Sequence, residues 1–141
     1  MRPKAILAAV SGDRADDEVV KLGCDLAKKE KAVVYIVYVI EVKRSLPLDA
    51  VIDTEMKKAE GILTHAEEVA SDRECEIETD LIQAREVGPA TVDEAREREV
   101  DLIILGLDYK KRFGIFSLGR VIPYVIEGAP CRVLMCREPM V

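Results

Sequence analysis

The stretch VDLIILGLDYKKRFGIFSLGRV, residues 100–121, joins a strand-like run to a basic loop. Its first eight residues are almost continuously apolar, which is typical of a parallel strand covered on both faces. Gly106 and Gly119 then bracket a segment with three consecutive cations at positions 110–112. In α/β proteins, phosphate groups bind beyond the carboxyl ends of the strands and at helix N-termini. The stretch therefore predicts an α/β sheet and the edge of that sheet where a ligand would bind.

Outward from this stretch, further strand-like runs alternate with helical segments. The runs are AILAAV (5–10), AVVYIVYVI (32–40), CEIETDLI (75–82) and CRVLMCR (131–137). Between them, apolar residues recur every three or four positions, as in amphipathic helices. This β-α-β-α-β-α-β-α-β order predicts one α/β domain over residues 1–141, a doubly wound five-stranded parallel sheet with helices on both faces. CEIETDLI alternates between apolar and acidic residues and is predicted to be an edge strand.

Composition narrows the classes of function and location. The chain has 141 residues and a net charge of −6, which argues against non-specific binding to nucleic acid or to an anionic membrane. Its four cysteines show no C-x-x-C spacing, and we expect them to be reduced thiols rather than disulfides or zinc ligands. No apolar run approaches the roughly 18 residues of a membrane span, and no signal-peptide pattern opens the chain. We therefore expect a cytoplasmic protein.

Catalytic and metal-binding patterns are not evident in the sequence. The single histidine, His65, falls on the second predicted helix, with no serine or cysteine placed beside it by spacing. The adjacent carboxylates Asp16–Asp17 and Glu67–Glu68 diverge on a helix and are predicted to be solvated. A phosphorelay receiver would share the topology, but the positions expected for its acidic residues offer only Asp13. The sequence predicts a protein that is not an enzyme, with no catalytic residue and no metal site.

The C-terminal third resembles the universal stress protein family. DLIILG (101–106) and APCRVLMC (129–136) are similar to the family's fourth and fifth strands. Gly106 and Gly119 have the spacing of the first and third glycines of its G-x2-G-x9-G-[ST] motif. The similarity extends over the whole chain, including VGPATVDEA at the start of the third helix. The resemblance implies the sheet order 3-2-1-4-5.

The same resemblance implies where a nucleotide would bind. In nucleotide-binding members an aspartate near the end of the first strand contacts adenosine, and Ser11 stands at that position here. A valine late in the second strand meets adenine through its backbone, and Val39 matches it. The second motif glycine is Tyr109, and the Ser or Thr after the last glycine is Arg120. Three of these four features are therefore changed.

These changes predict weak nucleotide binding. Each lost hydrogen bond costs about 1 kcal/mol, and a positive φ at Tyr109 would add about 1–2 kcal/mol. A total of roughly 3–5 kcal/mol turns a micromolar site into one near millimolar or weaker. In the opposite direction, four cations offer another route to phosphate affinity: Lys110, Lys111, Arg112 and Arg120. Gly106 and Gly119 also have explanations that need no ligand. Gly106 would permit the turn after the fourth strand, and Gly119 would permit the close start of a helix.

Two functions follow as hypotheses. The first is a non-enzymatic stress or regulatory protein with a degenerate nucleotide motif and no cofactor. It would form a homodimer and act through contacts with an unknown partner protein. The second is a sensor that binds ATP, AMP or another phosphorylated ligand through the altered basic loop, with or without slow hydrolysis. A regulatory module for a transporter or kinase is a third possibility.

A homodimer is predicted through the strand at 131–137. Val133 and Met135 alternate along it with Arg132 and Leu134. At the edge of the sheet this strand would expose unpaired backbone groups and apolar side chains unless it is covered. The family resemblance implies antiparallel pairing of this edge between two subunits, which is an isologous contact.

Overall fold

The computed structural model describes residues 2–107, 111–112, 115–116 and 118–137. Its helices are α1 (Asp16–Glu30), α2 (Asp53–Asp72), α3 (Val87–Glu97) and α4 (Val121–Gly128). The strands of the main sheet are β1 (Ala5–Ala9), β2 (Val33–Glu41), β3 (Ile77–Ala84), β4 (Leu102–Leu107) and β7 (Arg132–Arg137). A short antiparallel pair, β5 (Lys111–Arg112) and β6 (Ile115–Phe116), was not predicted and falls within the basic loop.

The five strands of the main sheet are all parallel and lie in the order β3-β2-β1-β4-β7. Because β7 is the fifth strand of this sheet along the chain, the predicted order 3-2-1-4-5 and the predicted fold class are confirmed. The chain moves outward from β1 to β3, returns to β4 beside β1, and ends at β7. The order therefore reverses between β1 and β4, where doubly wound sheets open a crevice.

Each face of the sheet is covered by two helices. Side chains of α1 and α2 pack with Ile6, Ile36 and Ile104 in one buried cluster. Side chains of α3 and α4 pack with Leu7 and Ile103 in the other. Neighbouring residues of the central strands thus enter opposite clusters and are both fully buried, which explains why these strands are continuously apolar. In the described part of the chain, no helix has the length and apolar character needed to cross a membrane.

The third strand is an edge strand, as predicted, but its boundaries differ. It was predicted over residues 75–82 and runs instead over Ile77–Ala84. The turn that follows α2 holds Cys75 outside the strand, because Glu74 has a φ of 54° and the Cys75 N–H donates to the Ala70 carbonyl at 3.0 Å. The strand ends opposite Glu41 of β2, since Ala84 is the partner of that residue.

Candidate functional site

A crevice opens at the carboxyl ends of β1 and β2. Its first cavity has a volume of about 290 Å³ and is bounded by α2 and α3. A second cavity of about 200 Å³ lies between the starts of α3 and α4. The two cavities share Glu41 and Val87 in their linings, so they lie side by side, and together we call them the crevice, which extends from the end of β1 to the beginning of α4. This is the edge of the sheet at which the sequence predicts a ligand site.

The structure brings only some of the predicted site residues into this crevice. Ser11 and Val39 line the first cavity, and Arg120 lines the second. Gly106 and Gly119 line neither of them. Tyr109 and Lys110 lie outside the described residues. Lys111 and Arg112 belong to β5, for which the structure describes the backbone.

Asp16 shows that one prediction was wrong. This residue was predicted to be a solvated carboxylate, but it is only 8% exposed. Its two oxygens accept hydrogen bonds from the backbone N–H groups of Ser11 at 2.9 Å and Gly12 at 2.7 Å. The reason is the sharp turn after β1, where Gly12 has a φ of 88° and directs both N–H groups toward the first residue of α1. Asp16 therefore fixes the wall of the crevice that contains Ser11.

Burial raises the pKa of Asp16 from its ordinary value of 3.8 to about 6. The hydrogen bonds from Ser11 and Gly12 oppose this shift, and the charges of Asp13 and Asp17 add to it. Desolvation wins because the carboxylate lies under the loop, where water reaches it poorly.

The hydroxyl of Ser11 is also held within this loop. It donates a hydrogen bond of 2.7 Å to Asp13, whose other carboxylate oxygen accepts from the Ala15 N–H at 3.0 Å. The position that carries an adenosine-binding aspartate in nucleotide-binding members thus presents a short hydroxyl already engaged by a neighbour.

The charged side chains around the first cavity are mixed in sign. Glu41 and Glu55 line it together with Lys58. Glu41 also accepts a hydrogen bond from the Val87 N–H at 3.3 Å, at the start of α3. In the second cavity Glu41 and Glu86 face the same space as Arg120. The described lining therefore has three carboxylates and two cations, and it is not a strongly positive surface of the kind that attracts polyphosphates.

The two motif glycines have different structural roles. A Cβ atom at Gly106 would lie 2.8 Å from the Cβ of Ala15, so β4 packs too closely on α1 for a larger residue. Gly119 has a φ of 69°, and a Cβ atom there would meet no atom of the described residues within 4 Å. It turns the chain into α4. Arg120 then takes the N-cap position of α4 without a side-chain cap, although Ser and Thr are preferred there.

His65 is exposed and contacts an acidic residue. Its Nε2 lies 2.8 Å from the Asp17 carboxylate, which links α2 to α1 at the surface. The cysteines Cys24, Cys75, Cys131 and Cys136 are all free thiols. Among the residues that the structure describes, no group of three His, Cys, Asp or Glu side chains could hold a metal ion.

Comparison with known proteins identifies the family of this chain. The sequence model of the universal stress protein family matches residues 3–137. The chain belongs to this family. A universal stress protein of Methanocaldococcus jannaschii is 29% identical over 145 residues, which is 96% of this chain and 83% of that protein.

Solved structures of the family have the same fold. A universal stress protein from Archaeoglobus fulgidus, solved in complex with dAMP, is 23% identical with a TM-score of 0.75, covering 96% of this chain and 98% of that one. Another universal stress protein, solved in complex with cAMP, is 17% identical with a TM-score of 0.76 over 97% of this chain and 98% of that one.

Sequence reasoning did not find the role of Asp16 or that of Gly12. One signal was present in SGDRADD, where a glycine precedes an acidic residue at the start of a helix. An acidic residue is favourable in the first turn of any helix, however, so this signal does not distinguish a buried carboxylate from a solvated one.

Proposed function

We propose that this protein is a cytoplasmic, non-enzymatic regulatory member of the universal stress protein family that has lost high affinity for ATP and acts as a dimer through protein contacts. The state of the loop after β1 carries this proposal. Ser11 offers the crevice a hydroxyl that already bonds Asp13, and Asp16 already accepts the N–H groups of Ser11 and Gly12. A ligand would have to displace these bonds to gain its own.

Two changes at the other end of the crevice support the same proposal. Arg120 replaces the compact hydroxyl of the family motif at the N-terminus of α4. Tyr109 replaces a glycine at which the backbone would approach phosphate. Together with Ser11 these changes lower the expected ATP affinity by roughly 3–5 kcal/mol relative to a micromolar site.

Calorimetry with ATP and Mg²⁺ at low salt tests this proposal. The unmodified protein is expected to bind ATP no more tightly than roughly millimolar. The triple variant Ser11→Asp, Tyr109→Gly, Arg120→Ser restores the motif and is expected to bind measurably. Micromolar affinity of the unmodified protein would contradict the proposal.

A ligand sensor is the second candidate, because two adjacent cavities lie at the carboxyl ends of the strands and Arg120 lines the second of them. Relatives solved with dAMP and cAMP support an adenine nucleotide as its ligand. Native mass spectrometry of freshly purified protein tests it by looking for a retained nucleotide. If one is retained and is lost on replacing Lys110, Lys111 and Arg112 with alanine, the basic loop is the phosphate site and the sensor hypothesis is favoured.

A further inference from the structure

Strand β3 offers a free sheet edge beside a groove. In the part of the chain that the structure describes, β3 pairs only with β2, so the N–H and C=O groups along its outer side are open to another strand. A groove of about 360 Å³ lies between β3 and α3. Ile82 and Ala84 of β3 and Pro89 of α3 contribute apolar surface to it. An extended chain paired with β3 would direct every second side chain toward this groove.

The negative charge of the protein is concentrated around the same edge. Residues 74–99 contain nine acidic and three basic residues, so this segment alone accounts for the net charge of −6 of the whole chain. On the side of α3, the groove is lined by four carboxylates: Glu86, Asp93, Glu94 and Glu97.

These carboxylates differ in how far they are already neutralised. Arg98 donates to Glu94 at 3.0 Å and to both oxygens of Asp80 at 2.8 Å, and it stacks on the Tyr35 ring at 4.6 Å. Within the described residues, neither Glu86 nor Glu97 forms an ion pair. Their charge is therefore available to a partner.

Two arginines also line the groove. Arg85 donates to the carbonyls of Val42, Lys43 and Leu46, so its guanidinium is directed to the loop after β2. Arg44 is the other. Arg96 and Arg98 pair with Asp93 and Glu94, so four arginines balance the four carboxylates of the groove. The edge and the groove together remain negative because Glu76, Glu78 and Asp80 add three more carboxylates.

We infer that the β3 edge and the adjoining groove form a docking surface for an extended, lysine- or arginine-rich segment of a partner protein, which adds to the sheet as a further strand. Backbone pairing would supply affinity, and basic side chains on the α3 face would supply selectivity. This inference deepens the proposed action through protein contacts and rests on that part of the proposal.

A second copy of this chain is a poor occupant for the same surface. Pairing two β3 strands would bring the same acid-rich segment, residues 74–99 with nine acidic and three basic residues, of each copy close to that of the other. Like charges across a strand pair are destabilising, whereas opposite charges stabilise it. The charges that protect this edge from self-association thus favour a basic strand.

The test uses a synthetic peptide of alternating lysine and valine, long enough to pair along β3, at about 0.15 M salt. Amide resonances of the labelled protein are followed during titration. We expect shifts concentrated at residues 77–84 and in α3. A peptide of the same sequence with N-methyl groups along one edge keeps the charge but cannot pair, and we expect it not to bind.

Two double charge-reversal variants distinguish binding at the groove from general electrostatic attraction to the protein. The double variant Asp93→Lys, Glu97→Lys is expected to weaken peptide binding by at least about tenfold. Glu60→Lys, Glu67→Lys, on the exposed surface of α2, changes the net charge equally and is expected to leave binding nearly unchanged.

Several results would overturn the inference: no binding, equal binding of the N-methylated peptide, equal losses in both double variants, or shifts that map away from β3. Self-association of the protein through residues 77–84 would overturn it in favour of a second copy. None of these results depends on ATP affinity, so calorimetry with ATP still decides that part of the proposed function separately.

Discussion

At the residue scale, the close packing of β4 on α1 explains why position 106 is a glycine. Because a Cβ atom there would lie 2.8 Å from the Ala15 Cβ and 3.1 Å from a methyl of Val19, the helix must move to accept it. We expect Gly106→Ala to lower the free energy of unfolding by about 1–3 kcal/mol, measured by urea denaturation.

Gly61 provides the matched control for this substitution. It lies within α2, and among the described residues a Cβ atom there would meet no heavy atom beyond its own helix backbone within 4 Å. Gly61→Ala should therefore raise the free energy of unfolding by about 0.5–1 kcal/mol through helix propensity alone. If both variants are stabilised, close packing does not explain Gly106 and a ligand role for it gains weight.

The buried carboxylate of Asp16 makes a second prediction at the same scale, on pH. Its pKa is higher in the folded protein, about 6, than the ordinary 3.8, so the folded state binds this proton more tightly. The resulting stabilisation is fully present below pH 3.8 and is lost as the pH rises through 6. From pH 7 to pH 5 this group should add about 1 kcal/mol to the free energy of unfolding.

Replacing Asp16 with asparagine removes the carboxylate that titrates. The change in unfolding free energy between pH 7 and pH 5 should be smaller by about 1 kcal/mol in Asp16→Asn than in the wild type. The control variant Glu67→Gln removes an exposed carboxylate of α2 and should leave the Asp16 contribution in place. A wild-type-like pH dependence in Asp16→Asn would show that another group is responsible.

At the scale of elements, hydrogen bonds from two side chains at the end of β3 stabilise the loop between β2 and α2. Arg85 donates to three carbonyls of this loop at 2.6–3.3 Å, and Gln83 donates to the carbonyls of Leu48 and Ala50. Five hydrogen bonds from two side chains therefore order a segment that has no regular structure of its own.

Arg85→Ala should release that loop. We expect faster hydrogen exchange at residues 43–50 and a loss of about 1–3 kcal/mol in unfolding free energy, because bonds from a charged donor are lost. Arg44→Ala, an exposed residue of the same loop, serves as the control and should change neither quantity appreciably. Unchanged exchange in Arg85→Ala would mean that local turns hold the loop.

At the scale of the whole molecule, β7 forms the second edge of the sheet and we predict that it pairs with its copy. Leu134 packs against the cluster beneath α1 and α2, so Leu134→Asp would disturb folding as well as association. Met135 is 47% exposed and gives the cleaner test. In sedimentation equilibrium, we expect the wild type to be a dimer and Met135→Lys to shift toward monomer with an unchanged circular dichroism spectrum.

Val33 is a comparably exposed apolar residue at the start of β2, 43% exposed. Val33→Lys should leave the dimer intact, which controls for the added charge. The test concentration is about tens of micromolar, far above that at which a stable dimer forms. A wild type that stays monomeric there would refute pairing through β7.

The five strands of the main sheet, the four helices and their alternation could be predicted from local patterns in the sequence. Strands such as AILAAV and DLIILG are apolar without interruption because both sides are buried, and that property is local and readable. The acidic alternation of β3 likewise predicted an edge position. The order of the strands came from the resemblance to the family, carried by the spacing of Gly106 and Gly119, and not from periodicity.

Local sequence patterns did not predict the burial of Asp16, the close packing of Gly106 on Ala15 or the hydrogen bonds from Arg85 to the β2–α2 loop. Each depends on distances between segments that the chain brings together by folding. An acidic residue, a glycine and an arginine have the same letters whether buried or solvated. Hydrophobic periodicity records which face of an element is covered, whereas burial of a polar group depends on which partner reaches it.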